Sequence, residues 1–200
     1  MTKFLFSVIT AIAIYIVVFQ SGINQRFLCH AGELMDKFKQ SDYNLSFERM
    51  ERIRFSKQYM QYFEVVTFKY NRTSAVSNLT WSFKIDVGKK LEIVVQAYRF
   101  ASNEYRLFPL RMQLNYYDAI EKDIIGLQNA LKSPCGNSFA GCPILKNRVG
   151  GFCKWSPDPA HFPPNIPDGK YMVELQGTFD SNEMYVLHGY GTVFRPIAKK

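Results

Sequence analysis

Hydrophobic and polar residues alternate most sharply in the middle of the chain. Leu79, Trp81, Phe83, Ile85 and Val87 are separated by Thr80, Ser82, Lys84 and Asp86, a period of two that predicts a strand with one buried face. Leu91, Ile93, Val95 and Ala97 resume the alternation after Gly88-Lys89-Lys90, so the two runs read as a β-hairpin. After a polar turn at Ser102-Asn103, Leu110, Met112, Leu114 and Tyr116 alternate with Arg111, Gln113 and Asn115 and predict a third strand. Upstream, Phe47 to Lys69 has no clear period, and only Glu64 to Lys69 has the β-branched and aromatic character of a strand.

Beyond Tyr116 the period changes. Ile120, Ile124, Leu127 and Leu131 fall at helical spacing behind Asp118, a suitable cap, and Ser133-Pro134 ends the segment. Residues 133–169 hold three cysteines and most of the prolines, a long covering or functional loop. Asp168-Gly169 opens a closing hairpin: Tyr171, Val173 and Leu175 alternate with Met172, Glu174 and Gln176, the chain turns at Asp180 to Glu183, and Met184 to Phe194 returns, loosened by Gly189 and Gly191. The pattern predicts a mainly β, antiparallel two-sheet sandwich or cup with one short helix.

The N-terminus differs in kind. Lys3 is the only charge before Arg26, and Phe4 to Phe19 form an apolar run with small residues following at Ser21 and Gly22. This is the layout of a signal peptide over residues 1–22, leaving residues 23–200 as one domain; the run is short of the roughly 20 apolar residues of a spanning helix. Three acceptor tripeptides agree with export: Asn44-Leu45-Ser46, Asn71-Arg72-Thr73 and Asn78-Leu79-Thr80. The four cysteines Cys29, Cys135, Cys142 and Cys153 suit two disulfides in an oxidising, extracellular compartment. Three pairings are open, one of them Cys135–Cys142 as a local clasp with Cys29–Cys153.

The formal charge of +8 raises nucleic acid as a partner, but the basic residues are scattered in pairs such as Arg52/Arg54 and Lys89/Lys90, as on a solvated surface. Nucleic acid is therefore not expected; a membrane surface or membrane receptor is a partner class that such a balance admits. Catalytic motifs are missing: no His-Glu-x-x-His, no Gly-x-Ser-x-Gly, no phosphate-cradling loop. His30, His161 and His188 lie far apart, and Cys135, Cys142, Cys153 and His161 lack zinc-site spacing. The expectation is no enzyme, no metal and no cofactor.

What remains is the apolar face of the strands: Trp81, Phe83, Ile85, Ile93, Val95, Phe108, Leu110, Met112, Leu114 and Tyr116. They either pack as an ordinary core, in a module that binds other proteins through its surface, or line a cavity for a hydrophobic small molecule or lipid. Period alone does not separate the two.

Three features carry a resemblance: the helix-like Tyr117-Asp118-Ala119-Ile120 after the third strand, the Cys142-Pro143 step, and the run from Pro163-Pro164 through Pro167, Gly169 and Tyr171 to Val173. Over roughly residues 60–196 the chain resembles the ML lipid-recognition superfamily, in its ganglioside-activator-like branch and the related insect secreted chemosensory CheB group. The resemblance implies an immunoglobulin-like β-cup around a lipid or similar molecule, a structural role for the cysteines, and, in the insect branch, a part in pheromone response. The family's cysteines at the helix start and in the last strand have no counterpart at Tyr116 to Asp118 or Val186 to Phe194. Phe108-Pro109 and the proline-rich 157–167 segment would border the mouth.

Overall fold

A computed structural model describes residues 41–124, 126, 128–131 and 143–196. The segment expected to be a signal peptide lies outside the described residues, as do Cys29, Cys135 and Cys142. No described helix is long and apolar enough to cross a membrane.

Among the described residues, eight strands and two short α-helices follow in order: β1 (Asn44–Phe55), β2 (Met60–Lys69), β3 (Ala75–Phe83), β4 (Leu91–Ala101), β5 (Glu104–Asn115), α1 (Tyr116–Glu121), α2 (Gln128–Leu131), β6 (Val149–Trp155), β7 (Gly169–Phe179) and β8 (Asn182–Phe194). They build two antiparallel sheets, a five-stranded one ordered β1-β8-β7-β4-β5 and a three-stranded one ordered β2-β3-β6. The architecture is the mainly β two-sheet sandwich that the alternation predicts.

Local chemistry sets the turns. Two-residue turns close β4–β5 at Ser102-Asn103 and β7–β8 at Asp180-Ser181, with all four residues at positive φ. Such turns match the right-handed twist of the flanking strands, and Asn and Asp tolerate the conformation. Pro109 sits in β5, an edge strand, where a missing N–H breaks no ladder. Beside it the register slips between Gln96 and Tyr98. The buried Gln96 amide spans the irregularity, its Nε2 donating to the carbonyls of Ala97, Phe108 and Leu110 at 2.9, 3.0 and 3.2 Å.

Several elements differ from expectation. Leu79–Val87 and Leu91–Ala97 are not two arms of a hairpin: β3 pairs with β2 and β6, and β4 with β5 and β7. The 84–90 segment crosses between layers, held where fully buried Val87 bridges Ile144 and Asp86 Oδ1 accepts from Lys146 N at 2.8 Å. Alternation says that a strand has a buried face, and is silent on which sheet it joins.

The helix begins three residues earlier than the expected Asp118 cap implies. Its cap is Asn115, whose Oδ1 accepts from the backbone N–H groups of Tyr117 and Asp118, while Asp118 sits in the first turn and complements the dipole. It breaks after Glu121, with Asp123 and Gly126 at positive φ, and restarts as α2, whose Gln128 N–H donates to Asp123 Oδ1 at 2.9 Å. Two strands have no forecast: most of β1, and β6 inside the cysteine and proline stretch.

The core lies between the sheets. Met60, Phe63, Leu91 and Met184 are almost wholly buried there. A smaller cluster of Tyr43, Tyr171 and Val193 occupies the other end, with Phe108, Phe162 and Ile166 against it.

Candidate functional site

Each sheet presents a row of large apolar side chains to the interior. From the three-stranded sheet come Phe63, Leu79, Trp81, Phe83, Phe152 and Trp155; from the five-stranded sheet come Met50, Leu91, Ile93, Leu175, Tyr185 and Leu187. Tyr116, Leu131 and Ile144, from the helices and the stretch before β6, complete the wall. The rows do not meet everywhere. They leave a cavity of about 70 Å³, several times the space that one water needs.

Glycines let aromatic rings lie flat in this wall. Gly150 pairs with Trp81, and a Cβ there would stand 2.5 Å from the indole Nε1. Gly177 pairs with Tyr185, and a Cβ there would stand 2.2 Å from the ring. The Tyr185 ring then reaches Phe63 of the opposite sheet, centroids 4.6 Å apart, while Trp81, Phe152 and Trp155 form an edge-to-face chain at 6.1 and 5.6 Å.

Polar groups in the wall are few and dearly placed. Trp81 and Trp155 are 5% and 9% exposed, and neither indole N–H has a hydrogen-bond partner among the described residues. An orphaned buried donor costs about 1–3 kcal/mol, so this is an interior that holds polarity unwillingly. Burial raises the Tyr116 and Tyr185 hydroxyls well above the ordinary tyrosine range, with their mutual repulsion adding to the Tyr116 shift. Both are neutral at any physiological pH.

Of the ten residues singled out from the sequence, Trp81, Phe83, Ile93 and Tyr116 line the cavity. Val95 is buried in the same core, and Ile85 and Met112 pack against it. Leu110 and Leu114 are half-buried on β5. Phe108 is elsewhere, edge-on to Tyr171 at 5.4 Å in the second cluster. There Tyr43 Oη donates to the Pro163 carbonyl and Tyr171 Oη to the Pro167 carbonyl, each at 2.8 Å, so the proline-rich segment expected at the mouth packs against this second cluster. Eleven wall residues are not among the ten: Leu79, Leu91, Leu131 and Leu175 stand in runs whose period is legible, whereas Met50, Phe63, Ile144, Phe152 and Trp155 stand in stretches without a forecast, and Tyr185 and Leu187 on the final strand, where glycines obscure the alternation.

Both described histidines have acidic partners. His188 Nε2 lies 3.0 Å from Glu174 Oε2 on the outside of the large sheet; His161 lies 3.3 Å from Asp158 and 3.8 Å from Asp123. No described hydroxyl or thiol is hydrogen-bonded to either ring, so neither pair has the nucleophile that a hydrolytic site requires. No described cluster of three His, Cys, Asp or Glu residues could hold a metal ion. Cys153 on β6 is disulfide-bonded. The expected acceptor asparagines all lie on described backbone: Asn44 opens β1, Asn71 is in the β2–β3 turn and Asn78 is in β3.

No protein-family model matches the chain, and no curated protein matches it in sequence. Among solved structures it is similar to a Niemann-Pick type C2 protein from the Japanese carpenter ant. That likeness has 10% identity and a TM-score of 0.36, covering 72% of this chain and 97% of that one. At these values it carries no argument about function, and the architecture rests on the strand order and register given above.

Proposed function

We propose that this protein binds a hydrophobic small molecule, or the end of a lipid chain, between its two sheets. One observation carries the reading: an apolar cavity walled by both sheets, with Leu131 and Ile144 also lining it. Affinity comes from removing the guest's apolar surface from water, at roughly 25 cal/mol per Å² before ordering costs. An apolar cavity of about 150 Å³ accepts benzene, so 70 Å³ suits a chain tip or a slender guest.

The setting is outside the cell, supported by the Phe4 to Phe19 run and the three acceptor tripeptides. The sequence resemblance would place the guest among lipids or hydrocarbon cues. The test is thermal unfolding of the full chain with increasing decanol or the fluorescent probe N-phenyl-1-naphthylamine. Saturable probe uptake and a melting temperature that climbs with ligand concentration are expected. No uptake and an unchanged melting temperature would leave a filled sandwich that works through its surface.

A further inference from the structure

The outer face of the small sheet carries an apolar strip on an edge strand. Val66, Phe68 and Tyr70 are 49%, 37% and 61% exposed, at the end of β2 and just beyond it. Edge strands with such faces invite sheet-to-sheet association. Nothing charged stands on β3 opposite the strip: Val66 faces Asn78, and Phe68 faces Val76.

Two acceptor tripeptides frame this strip. Asn78 lies directly across from Val66 on the same face, its Oδ1 accepting from the Lys154 N–H at 2.9 Å. Asn71 sits at the exposed β2–β3 turn, one residue beyond Tyr70, and its Oδ1 accepts from Thr73 N, Ser74 N and Thr73 Oγ1 at 2.9, 2.8 and 3.1 Å. In both cases the carbonyl oxygen is pinned, and Nδ2 has no partner among the described residues. The Lys154 ammonium lies 6.0 Å from the centroid of the Tyr70 ring, at the outer reach of a cation–π contact.

We propose that Asn71 and Asn78 carry N-linked glycans whose innermost sugars cover Val66, Phe68 and Tyr70. N-acetylglucosamine has an apolar C–H face that stacks on aromatic rings, and the strip offers rings beside one acceptor and a valine beside the other. In the transfer, Nδ2 gives up a proton and bonds to C1 of the first sugar of a lipid-pyrophosphate-linked oligosaccharide. The C1–O bond breaks, and the lipid pyrophosphate leaves with the electron pair. The inference requires entry to the secretory route and is independent of the cavity.

The full chain, made in a eukaryotic secretory host, is mapped by peptide mass spectrometry and then compared in three forms: intact, trimmed to single sugars by an endoglycosidase, and stripped by the amidase that leaves aspartate. Aspartate keeps the oxygen that organises the Asn71 turn, so the turn itself is not what is lost. Both sites are expected to be occupied. Stripping should lower the melting temperature by roughly 2–4 °C and raise binding of a hydrophobic dye, while trimming changes neither. In a Val66→Thr, Phe68→Ser double variant the difference between intact and stripped forms should vanish. Unmodified Asn71 and Asn78, or a stripped protein with unchanged melting and dye binding, would overturn the proposal.

Discussion

Tyr185 lays its ring on Gly177, its partner across the β7–β8 ladder, so closely that a Cβ at 177 would stand 2.2 Å from a ring carbon. The same ring packs on Phe63 of the facing sheet. Gly177 therefore sets how far one cavity wall stands from the other. Gly177→Ala forces Tyr185 to move, and a loss of about 1–3 kcal/mol is expected by urea unfolding, with altered probe uptake. Gly189→Ala is the control, since a Cβ there meets only one backbone oxygen at 3.9 Å.

Filling and enlarging the cavity should have opposite effects on uptake. Leu175→Phe adds volume to a partly buried wall position and is expected to abolish probe binding with little loss of stability. Leu79→Ala removes a buried wall side chain; it should cost about 2–5 kcal/mol and admit a bulkier guest. Fluorescence titration alongside urea melts checks both.

The buried tyrosines make an alkaline prediction. Burial raises Tyr116 and Tyr185 in the folded state, so the unfolded chain loses these protons first. The stability they contribute is whole below about pH 10, the ordinary tyrosine value, and declines as pH rises beyond it. Tyrosinate absorbance from these two should emerge with unfolding, as seen by circular dichroism, and not before it. Tyr116→Phe should push the alkaline midpoint upward.

On the acid side, Arg54 grips both oxygens of Glu183 at 2.7 and 2.9 Å and lowers its pKa. This contribution is present above the usual carboxylate value and fades as pH falls through the lowered one. The pair is largely exposed, so Arg54→Met should cost at most about 1 kcal/mol at pH 7. The difference should shrink on acidification and in high salt, measured by urea melts at several pH values.

How much of this was legible varies from element to element. Leu79, Trp81 and Phe83 do face inward together, as do Ile93 and Val95, because period two puts every second side chain on one face wherever the strand lies. β1 hid its alternation behind register shifts at Phe47/Arg49 and Arg52/Arg54, which swap the sides of successive residues. β6 was obscured by Gly150-Gly151, poor strand formers that are there because Trp81 and the Leu79 carbonyl leave no room for a Cβ. That signal exists only once β3 and β6 are side by side.

The sequence by itself determined the strands with clean alternation, both tight turns, the change of period near Tyr116 and the apolar character of the interior, all set by neighbours close along the chain. Tertiary structure alone decided that β3 and β4 belong to opposite sheets, that Phe108 packs on Tyr171 in a second cluster, and that space is left beside Ile93. Each of these depends on the distance between residues far apart in the chain, and on whether their volumes add up to the gap between the layers. Hydrophobicity drives side chains into that gap, but only their packed shapes settle what it still has room to hold.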